Sequence, residues 1–433
     1  MAMDGKELVE KLAKLSQVQS IKDIPQLTHA LFPGTHCPLM GAAMAVGGIK
    51  DSLIVVVGTD ECTYYTKSMT IHSEKFGGID GRCVSVVLDD HDVTFGSAEK
   101  VQEAFKEIIE EYRPQCVFLV TTCVIEIIGD DFDAISEGLS KLYGIPVLPV
   151  HTEHFKCEDH LPGLERTITV CAEMMKSCDC DNSVNLLGQR MGDFATTELY
   201  AMLQKAGVKI GLQLPCGCSV DDIKNAAAAK VNIVVNDIAL PLAQKMQEKF
   251  GIPYVYFNKF VIPEKIYEAY KNLFVYLDLE LPGELEGLYQ NAREKIEKNK
   301  GELEGITYIY GNTPYAVFEM NCFLSSLGMV PQVIQTNRYT EADEPYAKEI
   351  LQYTDPYVCK AANIAPLQYV YDVLSPYLYL GHEFGNRLRQ KGIAIVDSDR
   401  ASGMLGFEVT GYLLQQLVKS VREAKEYRKE LGL

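Results

Sequence analysis

The sequence predicts an α/β protein made of three doubly wound parallel-sheet domains around a central cleft. Three observations lead there. Short apolar runs alternate with stretches whose apolar residues recur at helical spacing, the pattern of strands joined by crossover helices. The same plan returns after residue 183 and again after residue 305. A chain of 433 residues, 47% hydrophobic, also exceeds what one core usually serves.

The opening 17 residues read as a charged amphipathic helix, and a polar, proline-containing approach leads from it to Cys37. Pro38 and the small apolar run LMGAAMAVGG then predict a buried helix with proline at its first position and Cys37 at its N-terminus. SLIVVV (52–57) is a continuous apolar strand running into Gly58, Thr59, Asp60, Glu61 and Cys62. CVSVVL (83–88) is a second strand, Ser97 caps a helix, and CVFLVT (116–121) delivers Cys123 into the loop at its carboxyl end. A further helix and the strand PVLPV (146–150) complete the first unit, expected over 1–180. Over 181–303 the strands are VNLLG, VKIGLQL, VNIVVN and IPYVYF, followed by a polar linking helix. Over 304–433 they are ITYIYG, MVPQVIQ, LYLGH and IAIVD, and a last helix spans roughly 403–430. These are Rossmann-like units, and sites in such sheets gather outside the carboxyl ends of the strands.

The formal net charge of −18 and the lack of basic tracts exclude nucleic acid and anionic membrane as natural partners. No run reaches the roughly 18 apolar residues of a membrane span, and the start is not a signal peptide. The expected compartment is the cytoplasm, where thiols stay reduced. The 13 cysteines are then core residues, metal ligands or reactive groups. No G-x-x-x-x-G-K-[ST] loop occurs, and the turns at 188–192 and 311–314 match no dinucleotide fingerprint, so no nucleotide is expected on this chain.

Cys37, Cys62 and Cys123 stand beside glycines, at a helix start or strand ends, where a thiolate is favoured and a metal can be reached. Iron in a sulfide cluster prefers thiolate, and a cubane takes four protein ligands, so three thiols leave one position for a second subunit or for Asp60. Cys216 and Cys218, in LPCGCS before the cap Ser219, form a C-x-C pair that can chelate a metal or simply sit in a tight turn. Cys178 and Cys180 fall in an exposed boundary, and Cys157 is core or backing for the site. His36, His151 and His154 are candidate proton carriers near neutral pH.

The pattern C-P-L-M-G-A, then G-T-D-E-C-T-Y-Y, D-V-T-F-G-S (92–97) and T-T-C-V-I-E-I-I-G-D-D (121–131) resembles the cluster-binding half of the nitrogenase component 1 superfamily. That superfamily includes the molybdenum-iron protein subunits, their cofactor-assembly scaffolds, and reductases and cyclases of tetrapyrrole synthesis. The resemblance implies that Cys37, Cys62 and Cys123 ligate an iron–sulfur cluster, 4Fe-4S or larger and P-cluster-like, shared across a subunit interface. It implies a homodimer, or a heterodimer with a homologous subunit, and an ATP-dependent iron-protein reductase feeding electrons to a substrate in the cleft. A tetrapyrrole or another small unsaturated molecule is the substrate class it suggests; the alternative is a non-catalytic scaffold on which a complex metal cluster is built. Catalytic nitrogenase subunits anchor their iron-molybdenum cofactor with a second-domain cysteine and a third-domain histidine. Asn236 stands here at the cysteine's place, and His382 precedes the histidine's, so dinitrogen reduction by that cofactor is not expected.

Overall fold

The computed structural model describes residues 4–27, 36–71, 81–157, 159–190, 192–258, 260–311, 313, 315–361 and 364–433. Gly34 and Thr35, part of the stretch leading to Cys37, lie outside the described residues, as do Asn312, Pro314 and Met191 of the two glycine-rich turns.

Three sheets carry the chain. The first has the strand order Cys83–Val87, Ser52–Gly58, Cys116–Thr121, Val147–Val150, all parallel. Its central strands are buried along their whole length, which is why they read as continuous apolar runs and not as alternation. The second sheet is also parallel, with the order Tyr254–Tyr256, Val231–Val234, Val184–Gln189, Ile210–Pro215. The third has six strands, with Thr307–Tyr310 and Val330–Gln335 at its centre. A short parallel bridge, Ile49–Lys50 against Cys218–Ser219, ties the first unit to the second. No helix among the described residues is long and apolar enough to cross a membrane.

The N-terminal segment departs from the expected grouping over 1–180. Ala13–Lys14 pairs antiparallel with Tyr357–Cys359 at the edge of the third sheet, and the opening helix is only Gly5–Glu10. Ser16 bonds Asp355 through its N–H at 3.0 Å and its hydroxyl at 2.8 Å, and Leu8 and Leu12 bury in the same cluster as Val370 and Tyr371. A two-residue polar strand has no periodicity to read, and its place is decided by tertiary contact.

The last helix, Glu408–Leu431, packs Val409, Leu413, Leu414 and Leu417 into the core of the third unit. It is joined to the linking helix Leu285–Leu303 by the two-pronged Arg422–Glu302 pair, at 3.0 and 2.8 Å. Tyr270 Oη and the Phe407 amide both donate to Glu198, which anchors the start of this helix to the second unit.

Candidate metal centre and cleft

Cys37 is the N-cap of the helix Pro38–Gly47, with proline at the first turn as the sequence predicts. That helix is docked by two reciprocal glycines. A Cβ on Gly41 would lie 1.9 Å from the His160 carbonyl oxygen, and one on Gly163 would lie 1.8 Å from that of Pro38. Only glycine lets this backbone touch the helix Leu161–Val170 so closely. Cys62 lies in the first turn of the helix Asp60–Ile71, with the Thr59 hydroxyl 3.6 Å from its sulfur. Cys123 opens the helix Cys123–Ile128 behind the N-cap Thr122. Cys123 was expected in a loop and Cys62 just past a strand end; each sits in a first helical turn.

All three thiols are half-buried. Burial raises the Cys123 pKa most, and the neighbouring Cys62 and, more weakly, Cys37 raise it further, against the lowering pull of the Val124 and Cys123 amides. Cys123 therefore lies near both Cys62 and Cys37. The three sulfurs do not all stand within 4.8 Å of one another, so they do not chelate a single ion as placed. Converging, reachable thiols at helix starts, with amide N–H groups on one of them, fit a multi-iron cluster.

The frame behind the thiols is polar and well satisfied. Glu126, on the Cys123 helix, accepts from the Thr121 hydroxyl at 2.8 Å, the Thr152 hydroxyl at 3.0 Å, and the amides of Glu153 and His154 at 2.5 and 3.2 Å. Arg166 holds the same loop through the Thr152 carbonyl at 2.5 Å and Glu153 at 2.5 Å, with its guanidinium 3.6 Å from the Cys157 sulfur. Cys157 thus belongs to this backing. Tyr64, Tyr65, Phe95, Ile127 and Phe155 leave large apolar side chains exposed, Phe95 at 76%. They lie on or beside the elements that carry Cys62 and Cys123.

Asp60 is exposed at the start of its helix. The C-x-C pair is split by Gly217, whose φ of +87° turns the chain. Cys218 is 2% exposed within the core shared by the first two units, its thiol pushed up to about 12 by burial. Cys216 stays reachable and donates to the Arg190 carbonyl at 3.2 Å. Cys178 and Cys180 are exposed.

A second group of polar residues gathers where the three units meet. Asp159 pairs with Arg338 at 3.7 Å. His160, beside Arg190, His36 and Arg338, is held down to about 4, chiefly by burial, so its imidazole is neutral at pH 7. Asp237 accepts from the Tyr256 hydroxyl and, at 3.3 Å, from Asn258. It is open to solvent, yet desolvation still raises its pKa, against the pull of Arg338. Glu319, from the helix Val317–Ser326, is raised to about 7 by burial, with Lys265 3.7 Å away.

The sequence reading missed Arg190, Asp237, His160, Arg338 and Glu319. Arg190 and Asp237 follow strand ends, where the rule for such sheets points; the other three carry no local signal. Of the predicted histidines, His151 pairs with Asp133 at 3.2 Å beside a groove of about 990 Å³ along the edge strand Val147–Val150, apart from the thiols and the cleft. His382 is exposed and pairs with Asp399. Asn236 caps Ile238 through its side chain at 3.2 Å. Among the described residues, one set of metal-type ligand atoms does lie within 4.8 Å, that of Asp89, His91 and Asp92. Lys100 already bridges its two carboxylates, at 3.0 and 2.6 Å.

Comparison with known proteins matches residues 37–422 to the family described as nitrogenase component 1 type oxidoreductase. Among curated relatives, the nitrogenase iron-molybdenum cofactor biosynthesis protein NifE of Clostridium pasteurianum is 31% identical over 224 residues, 51% of this chain and 49% of that protein. NifE of Rippkaea orientalis is 25% identical over 73% of this chain and 69% of its own. The nitrogenase molybdenum-iron protein alpha chain of Methanosarcina barkeri is 24% identical over 72% of this chain and 62% of its own. The match thus spans about half of the first of these relatives and under two thirds of the alpha chain. A solved structure titled nitrogenase Cp1 at pH 6.5 superposes with a TM-score of 0.79 at 15% identity, covering 94% of this chain and 96% of that one, a likeness of fold. With the family model covering nearly the whole chain, the protein belongs to the nitrogenase component 1 type oxidoreductases.

Proposed function

We propose that this chain is an iron–sulfur subunit that serves as a scaffold for a complex metal cluster, paired with a second copy or a homologous subunit. One observation carries the reading. The chain keeps three converging thiols, while Asn236, standing where catalytic relatives anchor their cofactor, is engaged in capping its own backbone. A site without a fixed anchor suits a cargo that must leave. The NifE names of several relatives support the same choice.

In this reading Cys37, Cys62 and Cys123 hold a cluster of 4Fe-4S type or larger, which would supply low-potential electron transfer, and the partner completes the ligand set. Asp60 and Cys218 are not retained as ligands. The exposed face of Tyr64, Phe95 and Ile127 is where a partner would cover apolar surface. We place the domain divisions at 180/181 and 303/304, with the N-terminal segment docked on the third unit, and the protein in a reducing cytoplasm, in keeping with its free thiols.

A second reading is favoured by the protonatable groups of the cleft. Glu319 and Asp237, both raised by burial, suit a reductase whose substrate needs protons as well as electrons from an ATP-dependent iron protein. The substrate would then be a tetrapyrrole or another small unsaturated molecule. Anaerobic purification from iron-replete cells separates the readings. A scaffold carries iron and labile sulfide and delivers a cluster once to an acceptor apoprotein; sustained turnover with an iron protein and ATP selects the reductase, and metal-free protein overturns both.

A further inference from the structure

The groove along the edge strand Val147–Val150 has two walls of unlike charge. The helix Phe132–Tyr143 covers one face of the first sheet, packing Phe132 and Leu139 in the same core as Val147. The other face, with Leu148, is covered by Leu164, Ile168 and Met174. Between these two layers the sheet edge is open, and among the described residues no strand pairs beyond Val147–Val150. The helix wall presents Asp133, Ser136, Glu137 and Ser140, at the spacing that lines one side of a helix. The facing wall presents Lys176, with Lys224 and Lys245 from the second unit.

Pairing within the chain leaves this asymmetry standing. Lys245 meets Glu173 at 2.6 Å and Lys224 meets Asp221 at 3.1 Å, whereas Lys176 has no carboxylate within ion-pair reach among the described residues. Across the groove Asp133 meets His151 at 3.2 Å, and Glu137 meets Lys141 at 2.5 Å. Ser136 is 1% exposed, and its hydroxyl finds no partner among the described residues. A buried hydroxyl left idle on a groove wall is a hydrogen-bonding site for an occupant. The main chain of the edge offers less. Val147 N–H donates to the Ser140 hydroxyl at 2.9 Å, that hydroxyl donates back to the Val147 carbonyl at 3.3 Å, and Pro149 has no N–H. Such an edge is closed to indiscriminate strand addition, so what enters is selected by the walls.

An extended segment lying in the plane of a sheet sends successive side chains to opposite faces. In this groove, alternate residues meet the carboxylate wall and those between them meet the lysine wall. We propose that the groove docks an extended segment of a partner protein in which basic and acidic residues alternate, the basic ones toward Asp133 and Glu137 and the acidic ones toward Lys176 and Lys245. The inference is independent of the scaffold reading. Each ion pair at an exposed rim is weak and screened by salt. Recognition therefore comes from the alternation, which satisfies both walls at once, and not from any single pair.

The test uses the full chain, purified anaerobically, and fluorescently labelled peptides of about six residues, enough extended chain to run the length of the edge strand. Binding is read by anisotropy at low ionic strength. A peptide alternating lysine and aspartate should bind, and the same composition arranged as a lysine block and an aspartate block should bind about tenfold more weakly. Lys176→Glu should weaken the alternating peptide by about tenfold as well. Asp133→Lys with Glu137→Lys makes both walls basic, so that variant should gain binding of a poly-aspartate peptide that the wild-type chain does not bind. A gain of this kind cannot come from misfolding, and circular dichroism checks each variant. Glu103→Lys, an equal charge change on the neighbouring helix Ala98–Tyr112, should alter none of these results. Equal binding of the alternating and block peptides, indifference to Lys176→Glu, or no gain of poly-aspartate binding overturns the inference. So does displacement of the alternating peptide by inorganic phosphate at matched ionic strength, which would assign the lysine wall to a small anion.

Discussion

Thr122 fills the space that a side chain at Gly58 would need. A Cβ there would lie 2.1 Å from the Thr122 hydroxyl and 2.7 Å from its methyl, while that hydroxyl donates to the Val57 carbonyl at 2.9 Å. Gly58 leads into the helix of Cys62, and Thr122 caps that of Cys123, so this contact sets the spacing of two thiols. Gly58→Ala should force the strand ends apart, costing about 1–3 kcal/mol and most of the iron of anaerobically purified protein. Adding Thr122→Ala should recover part of both, as read by denaturant unfolding and iron analysis.

The thiols themselves separate ligation from packing. Under the proposed function, Cys62→Ala and Cys123→Ala should lower iron content and weaken pairing with the proposed partner, with modest effect on the folded monomer, since both side chains are half-buried. Cys171 is fully buried, its thiol donating to the Thr167 carbonyl at 3.4 Å. Cys171→Ala should cost about 1–2 kcal/mol of stability through lost packing and leave iron content unchanged. Equal iron loss in all three would mean that instability, not ligation, is being measured.

Glu126 ties the Cys123 helix to the loop 151–154 through four donors. Glu126→Ala leaves two hydroxyls and two amides to find other acceptors, and a cost of about 2–4 kcal/mol follows if two of them stay buried and unpaired. Glu126→Gln keeps one acceptor oxygen and should lose less than half as much. Chemical unfolding of both variants checks the ordering.

The fold was legible because fully buried parallel strands announce themselves as apolar runs, as at 52–57 and 116–121, and because Pro38 and Ser219 mark helix starts by local chemistry. The placement of Cys37, Cys62 and Cys123 beside strand ends or helix starts was legible for the same reason. What escaped was tertiary. Nothing near Cys218 says that Gly217 turns it into the core, and nothing near Glu319 says that Lys265 from another unit faces it. Ala13 and Lys14 join a sheet whose other strands lie some 300 residues away, a pairing that no local pattern encodes.

Glu319 makes stability depend on pH in a direction that can be worked out. Its carboxyl is buried, one oxygen has no hydrogen-bond partner, and its nearest cation, Lys265, stands 3.7 Å off while also lying over the Tyr346 ring. Asp237 adds to the repulsion, and Cys322 one turn away shares the site. Folding raises the group from 4.5 to about 7. Between those values the folded chain keeps a proton that the unfolded chain has released, so its contribution is fully present below pH 4.5 and is lost as pH rises toward 7. The loss is on the order of 2–3 kcal/mol, reduced by whatever screening Lys265 provides. His160 acts oppositely: held down to about 4, it weakens the fold as pH falls below 6.5. Glu319→Gln removes the first slope and leaves the second. The variant should therefore match the wild type within about 1 kcal/mol at pH 5 and gain on it steadily to pH 8, in urea unfolding measured across that range. Parallel profiles for the two proteins would show that Glu319 is already ionised in the folded chain, with Lys265 as a full partner.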